Sequence, residues 1–310
     1  MDGLRISLFG HIQIAYQDGT VASLSPTTQL LAAYLILHRH RCHRRETLTE
    51  RFWGESDEAH ARGCLSSTLW RLRRVLEPEG IPHGTYLLTT PTGDGEIGFN
   101  TTSCYWLDIE AFEQYSHQII TQSEKLSPEQ AEKLEQILHL YMGDLLEGIY
   151  DDWVLPERER LRQIYLDSLA CLMHYHRRVQ AYERSLAFGN QILSLEPLRE
   201  DVQRAVIESY WASGQRALAL RQYELCCEVL ADELGIEPME ETQILYHQIV
   251  MNGSGYTAVF PQKTTISPPN MDQAMKQLSL AMQCLGQAQT QLQQAIKVMR
   301  RCVDSQQQHR

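Results

Sequence analysis

Residues 58–78 read EAHARGCLSSTLWRLRRVLEP, and the way this stretch divides into two faces decides the kind of fold to expect. At about 100° per residue, Ala61, Leu65, Leu69, Leu72 and Leu76 fall on one stripe. That predicts an amphipathic helix from near Asp57–Ala59 to Leu76, stopped by Pro78 and Gly80. Gly63, Ser67, Trp70 and Arg74 lie opposite, flanked by Ser66 and Arg73 on one side and Arg71 on the other. An outward tryptophan among small residues and arginines is unusual for a solvated helix surface. Small residues at 63, 66 and 67 let a backbone approach a groove closely, and guanidinium groups bind phosphates or a guanine edge. Taken alone, the wheel also fits a solvated face whose arginines complement the helix C-terminus.

The flanking sequence decides between the two. Leu4, Ile6 and Leu8 alternate as in a half-buried strand, Gly10 interrupts, and Ile12, Ile14 and Tyr16 resume the pattern. Asp18-Gly19 predicts a tight turn before a third short strand, Thr20–Leu24. Ser25-Pro26 is a helix start, opening an apolar helix to about His38, and a second short helix covers about Arg45–Trp53. Strand character returns over Tyr86–Trp106, with Gly93-Asp94-Gly95 marking a hairpin turn. Strands, three helices and a closing hairpin predict a winged helix-turn-helix over residues 1–106. In that setting Arg62, Ser66, Ser67, Trp70, Arg71, Arg73 and Arg74 are the expected DNA-binding residues, with double-stranded DNA met in the major groove.

The charge distribution agrees. Among the 310 residues the net charge is −11, which argues against indiscriminate coating of nucleic acid. Residues 109–250 alone carry 12 Lys+Arg against 25 Asp+Glu. Residues 38–74, by contrast, hold nine arginines against five acids, so a nucleic-acid contact belongs there.

From about Leu107 to Val250 the chain reads as successive helices. Residues 165–232 resemble two copies of a unit of about 34–35 residues, with Tyr175 over Tyr210, Phe188 over Tyr223 and Leu195 over Leu230. This predicts an all-α, tetratricopeptide-like domain at 107–251, suited to binding other proteins. A helical core without a partner is the alternative. Residues 252–270 are rich in Gly, Ser, Thr and Pro and read as a linker. In 271–305, Met271, Leu278, Leu285, Leu292 and Met299 recur every seven residues, with Ala274, Ala281, Ala288, Ala295 and Cys302 three residues later. Five successive heptads predict a coiled coil and a homodimer or higher homo-oligomer. The expected fold class is therefore mostly α, with an α+β amino-terminal part.

No G-x-x-x-x-G-K-[ST], G-x-G-x-x-G, H-E-x-x-H or G-x-S-x-G motif occurs, so neither catalysis nor a cofactor is expected. His38-Arg39-His40-Arg41-Cys42-His43 contains metal-ligand residue types, but its arginines would repel a cation, and no metal site is expected. The longest apolar run, Leu30–Leu37, is too short to span a bilayer. No export signal is visible, and eight cysteines lie scattered without a C-x-x-C pair. A cytoplasmic protein without a membrane partner is the expectation.

Several stretches resemble the SARP family of bacterial transcriptional activators, in which a response-regulator-type winged helix precedes a bacterial transcriptional activator domain. They are LRISLFG (4–10), LLAAYLILHRHRCHRRETLTERFW (30–53), ARGCLSSTLWRLRRVLEP (61–78), YWLDIEAFE (105–113) and YMGDLLEGIYDDWVLPERERL (141–161). The region 197–241, from PLREDVQRAVIESYWASGQRALALRQYE to LADELGIEPMEE, completes a likeness that covers about residues 1–250. The resemblance implies an activator that binds tandem promoter sites and recruits RNA polymerase or a sigma factor. It also implies that the helical domain supports protein contacts and dimerisation. One departure stands out: the hairpin region 86–100 has no Lys or Arg where family wings often carry a basic residue. That departure and the acidic balance favour a rival reading, a helical-repeat adaptor whose winged helix does not bind DNA.

Overall fold

Strand β1 (Leu4–Ser7) pairs antiparallel with β2 (Gln13–Ala15) and, on its other edge, parallel with β5 (Tyr105–Leu107). These belong to a computed structural model that describes residues 3–16, 19–89, 95–120 and 126–251. Leu4, Ile6, Leu8 and Ile14 are buried as the alternation requires. The third strand expected at Thr20–Leu24 does not form; Val21 makes a single bridge to Ala15 and Ala22 donates to the Ile14 carbonyl. The third strand of the sheet is instead β5, on the edge of β1 away from β2, from 85 residues further on (Thr20 to Tyr105). The strand-like stretch Tyr86–Trp106 is thus split between two sheets.

Helices α1 (Pro26–Leu37), α2 (Arg45–Trp53) and α3 (Glu58–Leu76) follow, close to the expected bounds. α1 begins with proline in its first turn and buries residues all round, as its apolar sequence demands. Asp57 caps α3, its carboxylate accepting from the Ala59 N–H at 3.2 Å. Strands β3 (Leu87–Thr89) and β4 (Ile97–Phe99) form the antiparallel hairpin, in the register Leu87 to Phe99 and Thr89 to Ile97. Most of the expected turn at Gly93-Asp94-Gly95 lies outside the described residues.

The remainder is helical: α4 (Asp108–Ile120), α5 (Pro128–Leu138), α6 (Leu155–Arg178), α7 (Tyr182–Leu195), α8 (Glu200–Ala212), α9 (Arg216–Leu234) and α10 (Glu240–Met251). The turns α6–α7 and α8–α9 use the same hydrogen bonds 34 residues apart. Ala181 N–H donates to the His176 carbonyl and Gln215 N–H to the Tyr210 carbonyl, both at 2.8 Å. Gln180 adopts the left-handed backbone, φ 61°, that Gly214 adopts at φ 79°. The structural match to Tyr210 is therefore His176, and the sequence pairing of Tyr175 with Tyr210 is one residue out of register. α7 and α8 meet at Gly189, where a Cβ would lie 2.5 Å from Val206 Cγ2 and 3.2 Å from Met173 Sδ. Among the described residues no helix is long and apolar enough to cross a membrane.

The boundary expected at 106/107 is crossed by a common core extending from Leu4 to Val206. Phe9 stacks edge-on against Phe112 at 5.2 Å, and Tyr34 of α1 against Trp153 at 5.2 Å. Leu146 N–H donates to the Leu8 carbonyl, Gly10 N–H to Asp144 and Glu147 N–H to Gly10. Arg158 of α6 holds the carbonyls of Leu145, Leu146 and Ile149 at 2.7–2.8 Å. At the centre of this junction the buried Asp108 carboxylate accepts from Leu8, Phe9 and Ile109 N–H groups at 2.7, 3.0 and 2.7 Å.

Two outcomes follow from this packing. Gly189→Ala should destabilise the chain by about 1–3 kcal/mol through forced repacking, read by chemical denaturation followed by circular dichroism. Burial pushes the Asp108 carboxyl up to about 6, outweighing the pull of its N–H donors. Because the folded-state value lies above that of an unfolded aspartate, folding takes up a proton in this window. The contribution is full below about pH 4 and lost as pH rises through about 6. The stability of the parent relative to Asp108→Asn should therefore fall by roughly 2–3 kcal/mol between about pH 4 and pH 7. A flat difference over that range would refute the assignment.

Candidate nucleic-acid interface

The wheel drawn from the sequence is realised in α3. Ala61, Leu65, Leu69, Leu72 and Leu76 are buried, joined by Thr68, whose hydroxyl donates to the Cys64 carbonyl at 2.8 Å. Arg62, Gly63, Ser66, Ser67, Trp70, Arg71 and Arg74 are exposed on the opposite side. Trp70 is 59% exposed, unusual for the largest side chain on a helix with a core available behind it. The Arg74 guanidinium sits over its ring, 4.9 Å from the centroid. This stacking holds the Arg74 side chain on the outer face beside Trp70 and restricts its rotamers.

Two of the expected residues have neighbours that limit them. Arg62 pairs with Glu58 one turn earlier, at 2.5 Å, with both side chains solvent-exposed. Ser66 accepts from Arg45 Nη2 at 3.3 Å, which brings a guanidinium from the first turn of α2 onto the α3 face. Arg45 was not among the residues expected from sequence. Its position at the head of a separate helix carries no periodic signal that would link it to α3.

Arg73 is placed apart from the others. Its side chain is 16% exposed and turns back onto the hairpin. There it donates to Thr89 Oγ1 at 2.7 Å and the Leu87 carbonyl at 3.3 Å, contacts the His83 ring, and lies 3.9 Å from Glu77. Glu77, whose side chain is only 2% exposed, accepts from the N–H groups of Gly84, Tyr86 and Leu87 at 2.9–3.1 Å. Arg73 and Glu77 together lock the end of α3 to the start of β3. The structure thus brings together Ser67, Trp70, Arg71 and Arg74, with Ser66 and Arg62 beside them, and assigns Arg73 to the scaffold.

The two ends of α3 differ in charge. Glu55, Asp57 and Glu58 are exposed at its beginning, whereas Arg71 and Arg74 are exposed near its end. An anionic partner is therefore attracted to the carboxy-terminal half of the helix and repelled from its first turn. The nearby His43 adds no charge at neutral pH, since burial and the adjacent Arg41 push it down to about 4.

Comparison with known proteins gives the same placement for the helical part. Residues 107–250 match the family model of the bacterial transcriptional activator domain. The chain is 26% identical over 250 residues to the regulatory protein AfsR of Streptomyces coelicolor, covering 80% of this chain but 24% of that protein. It therefore spans about a quarter of the length of that relative. It is 23% identical over 259 residues to the regulatory protein DnrI of Streptomyces peucetius, covering 81% of this chain and 94% of DnrI. A solved structure of Mycobacterium tuberculosis EmbR, in complex with a low-affinity phosphopeptide, superposes with a TM-score of 0.67 at 22% identity. That match covers 80% of this chain and 65% of the EmbR chain and shows a shared fold. Residues 107–250 match a bacterial transcriptional activator domain, and over four fifths of its length the chain is similar to SARP-type bacterial transcriptional regulators.

Proposed function

We propose that this protein regulates transcription by binding double-stranded DNA through a winged helix-turn-helix formed by α1–α3 and the β3–β4 hairpin, with α3 in the major groove. The observation that carries the reading is the exposed face of α3, where Ser67, Trp70, Arg71 and Arg74 gather with small residues at 63 and 66. Gly63 and the serines permit close approach to the groove, Arg71 reaches base edges, and Arg74 meets the backbone, held in place by Trp70. The similar AfsR and DnrI are named as regulatory proteins, which supports a regulator; that it activates at tandem promoter sites is our proposal from the family resemblance. The helical region would then recruit RNA polymerase or a sigma factor. The rival, an adaptor without DNA affinity, draws on the acidity of residues 109–250, where 25 acids face 12 bases.

On this reading Ser67→Ala and Arg71→Ala should each relax base preference by about 1–3 kcal/mol. Arg74→Ala should weaken all sequences alike and flatten the salt dependence by about one phosphate contact. Arg73→Ala should act differently, lowering thermal stability, because it removes the tie between α3 and the hairpin. The measurement is binding to a duplex selected from random DNA, titrated with salt. Unchanged binding by a folded Ser67/Trp70/Arg71/Arg74 quadruple alanine variant would leave the adaptor reading.

The heptad segment 271–305 and the linker 252–270 lie outside the described residues. We assign the heptads, from their sequence, to self-association that lets two copies occupy paired sites. Deleting 271–310 should then convert an oligomer to a monomer in sedimentation and lower affinity for two-site DNA, through loss of effective concentration. Affinity for a single site should be nearly unchanged. A parent that already sediments as a monomer at micromolar concentration would overturn this assignment.

A further inference from the structure

A cationic edge runs beside the hairpin. The segment His38–Arg44 connects α1 to α2, and part of it runs along β4. His43 and Ile97 exchange both backbone hydrogen bonds, at 2.8 Å each, so the connection acts as an extra strand on the hairpin. Side chains alternate along such a strand. His43 points inward, its ring 4.9 Å from that of Tyr34, while Cys42 and Arg44 are exposed. Cys42 lies flat on the hairpin because its neighbour is Gly98, where a Cβ would come within 2.8 Å of the Cys42 sulfur. Arg44 shares the outer surface of this edge with Cys42, and Arg41, in the bend just before it, is exposed as well. Neither arginine makes an ion pair among the described residues, although Glu96 stands opposite Arg44 in the register set by His43 and Ile97. Arg45, next in the chain, donates to Ser66 of α3 and makes the edge continuous with the α3 face.

The hairpin beside this edge has no Lys or Arg between residues 86 and 100. A duplex lying against α3 would meet no cation from the hairpin itself. We propose that Arg41 and Arg44 are the phosphate-binding edge of this protein, contacting the DNA backbone beside the groove that receives α3 and supplying the cations the hairpin lacks. Guanidinium groups suit the task because each presents paired N–H donors matched to phosphate oxygens. The inference rests on the DNA-binding reading above and deepens it. Arg41 and Arg44 hold the duplex without reading its sequence, whereas Ser67 and Arg71 read it.

The test uses the full chain and a duplex selected from random DNA by the parent protein, together with a scrambled duplex of equal length. In Arg41→Ala/Arg44→Ala the log–log salt slope should fall by about 2, and affinity for both duplexes should drop by about tenfold at moderate salt. The ratio of the two affinities should not change. Arg41→Lys/Arg44→Lys should recover most of the slope, since the charge is kept. Because both side chains are exposed, the melting temperature of each variant should match the parent and exclude misfolding. If the parent discriminates the two duplexes but the double alanine variant keeps its slope and affinity, the phosphate edge is wrong and the α3 reading stands. A parent that shows no salt-dependent DNA binding would overturn both.

Discussion

A buried carboxylate at the meeting point of three elements organises this chain. Asp108 stands where β5 ends and α4 begins, and its oxygens accept N–H groups from Leu8 and Phe9, just past the last paired residue of β1. Those N–H groups are inside the core and beyond the antiparallel ladder, so without an acceptor they would be left desolvated. Hydrogen bonds to a charged acceptor are worth roughly 1.5–3 kcal/mol each. The arrangement also keeps the chain ends of the two regions together. The carbonyls of Leu8 and Gly10 then accept from the loop 146–147, and Arg158 of α6 ties down the carbonyls of that loop. The amino-terminal sheet and the helical region consequently share one core.

A second buried acid, Glu77, does comparable work at the far end of α3. As the chain reverses toward β3, one carboxylate receives three N–H groups, from Gly84, Tyr86 and Leu87. Arg73 completes the junction by reaching the Thr89 hydroxyl and the Leu87 carbonyl. The consequence for function is a sorting of arginines. One guanidinium stabilises the angle between helix and hairpin, and its neighbours Arg71 and Arg74 are left on the outer face.

Electrostatics gives the assembly a direction. The helical region is strongly acidic, while Arg62, Arg71 and Arg74 are exposed on α3 and Arg41 and Arg44 beside the hairpin. For a polyanion, approach from the α3 side is favoured and approach from the helical region is opposed. In the proposed reading, the same charge separation leaves the helical surface available for protein partners.

The sequence by itself determined the buried face of α3, the three helices before the hairpin and the run of helices after residue 107, because burial leaves a period in the chain that needs no knowledge of neighbours. It also showed Trp70, Arg71 and Arg74 as outward residues for the same reason. The tertiary structure alone decided that β5 joins β1, that Arg73 belongs to the scaffold and that Arg45 reaches Ser66. It also set the repeat register, by aligning the turns at Gln180 and Gly214, where sequence similarity had aligned two tyrosines. These choices depend on which distant backbone group lacks a partner once the core has closed. Local periodicity records which side of an element is buried, and it holds no information about which long-range donor a carboxylate or guanidinium will meet there.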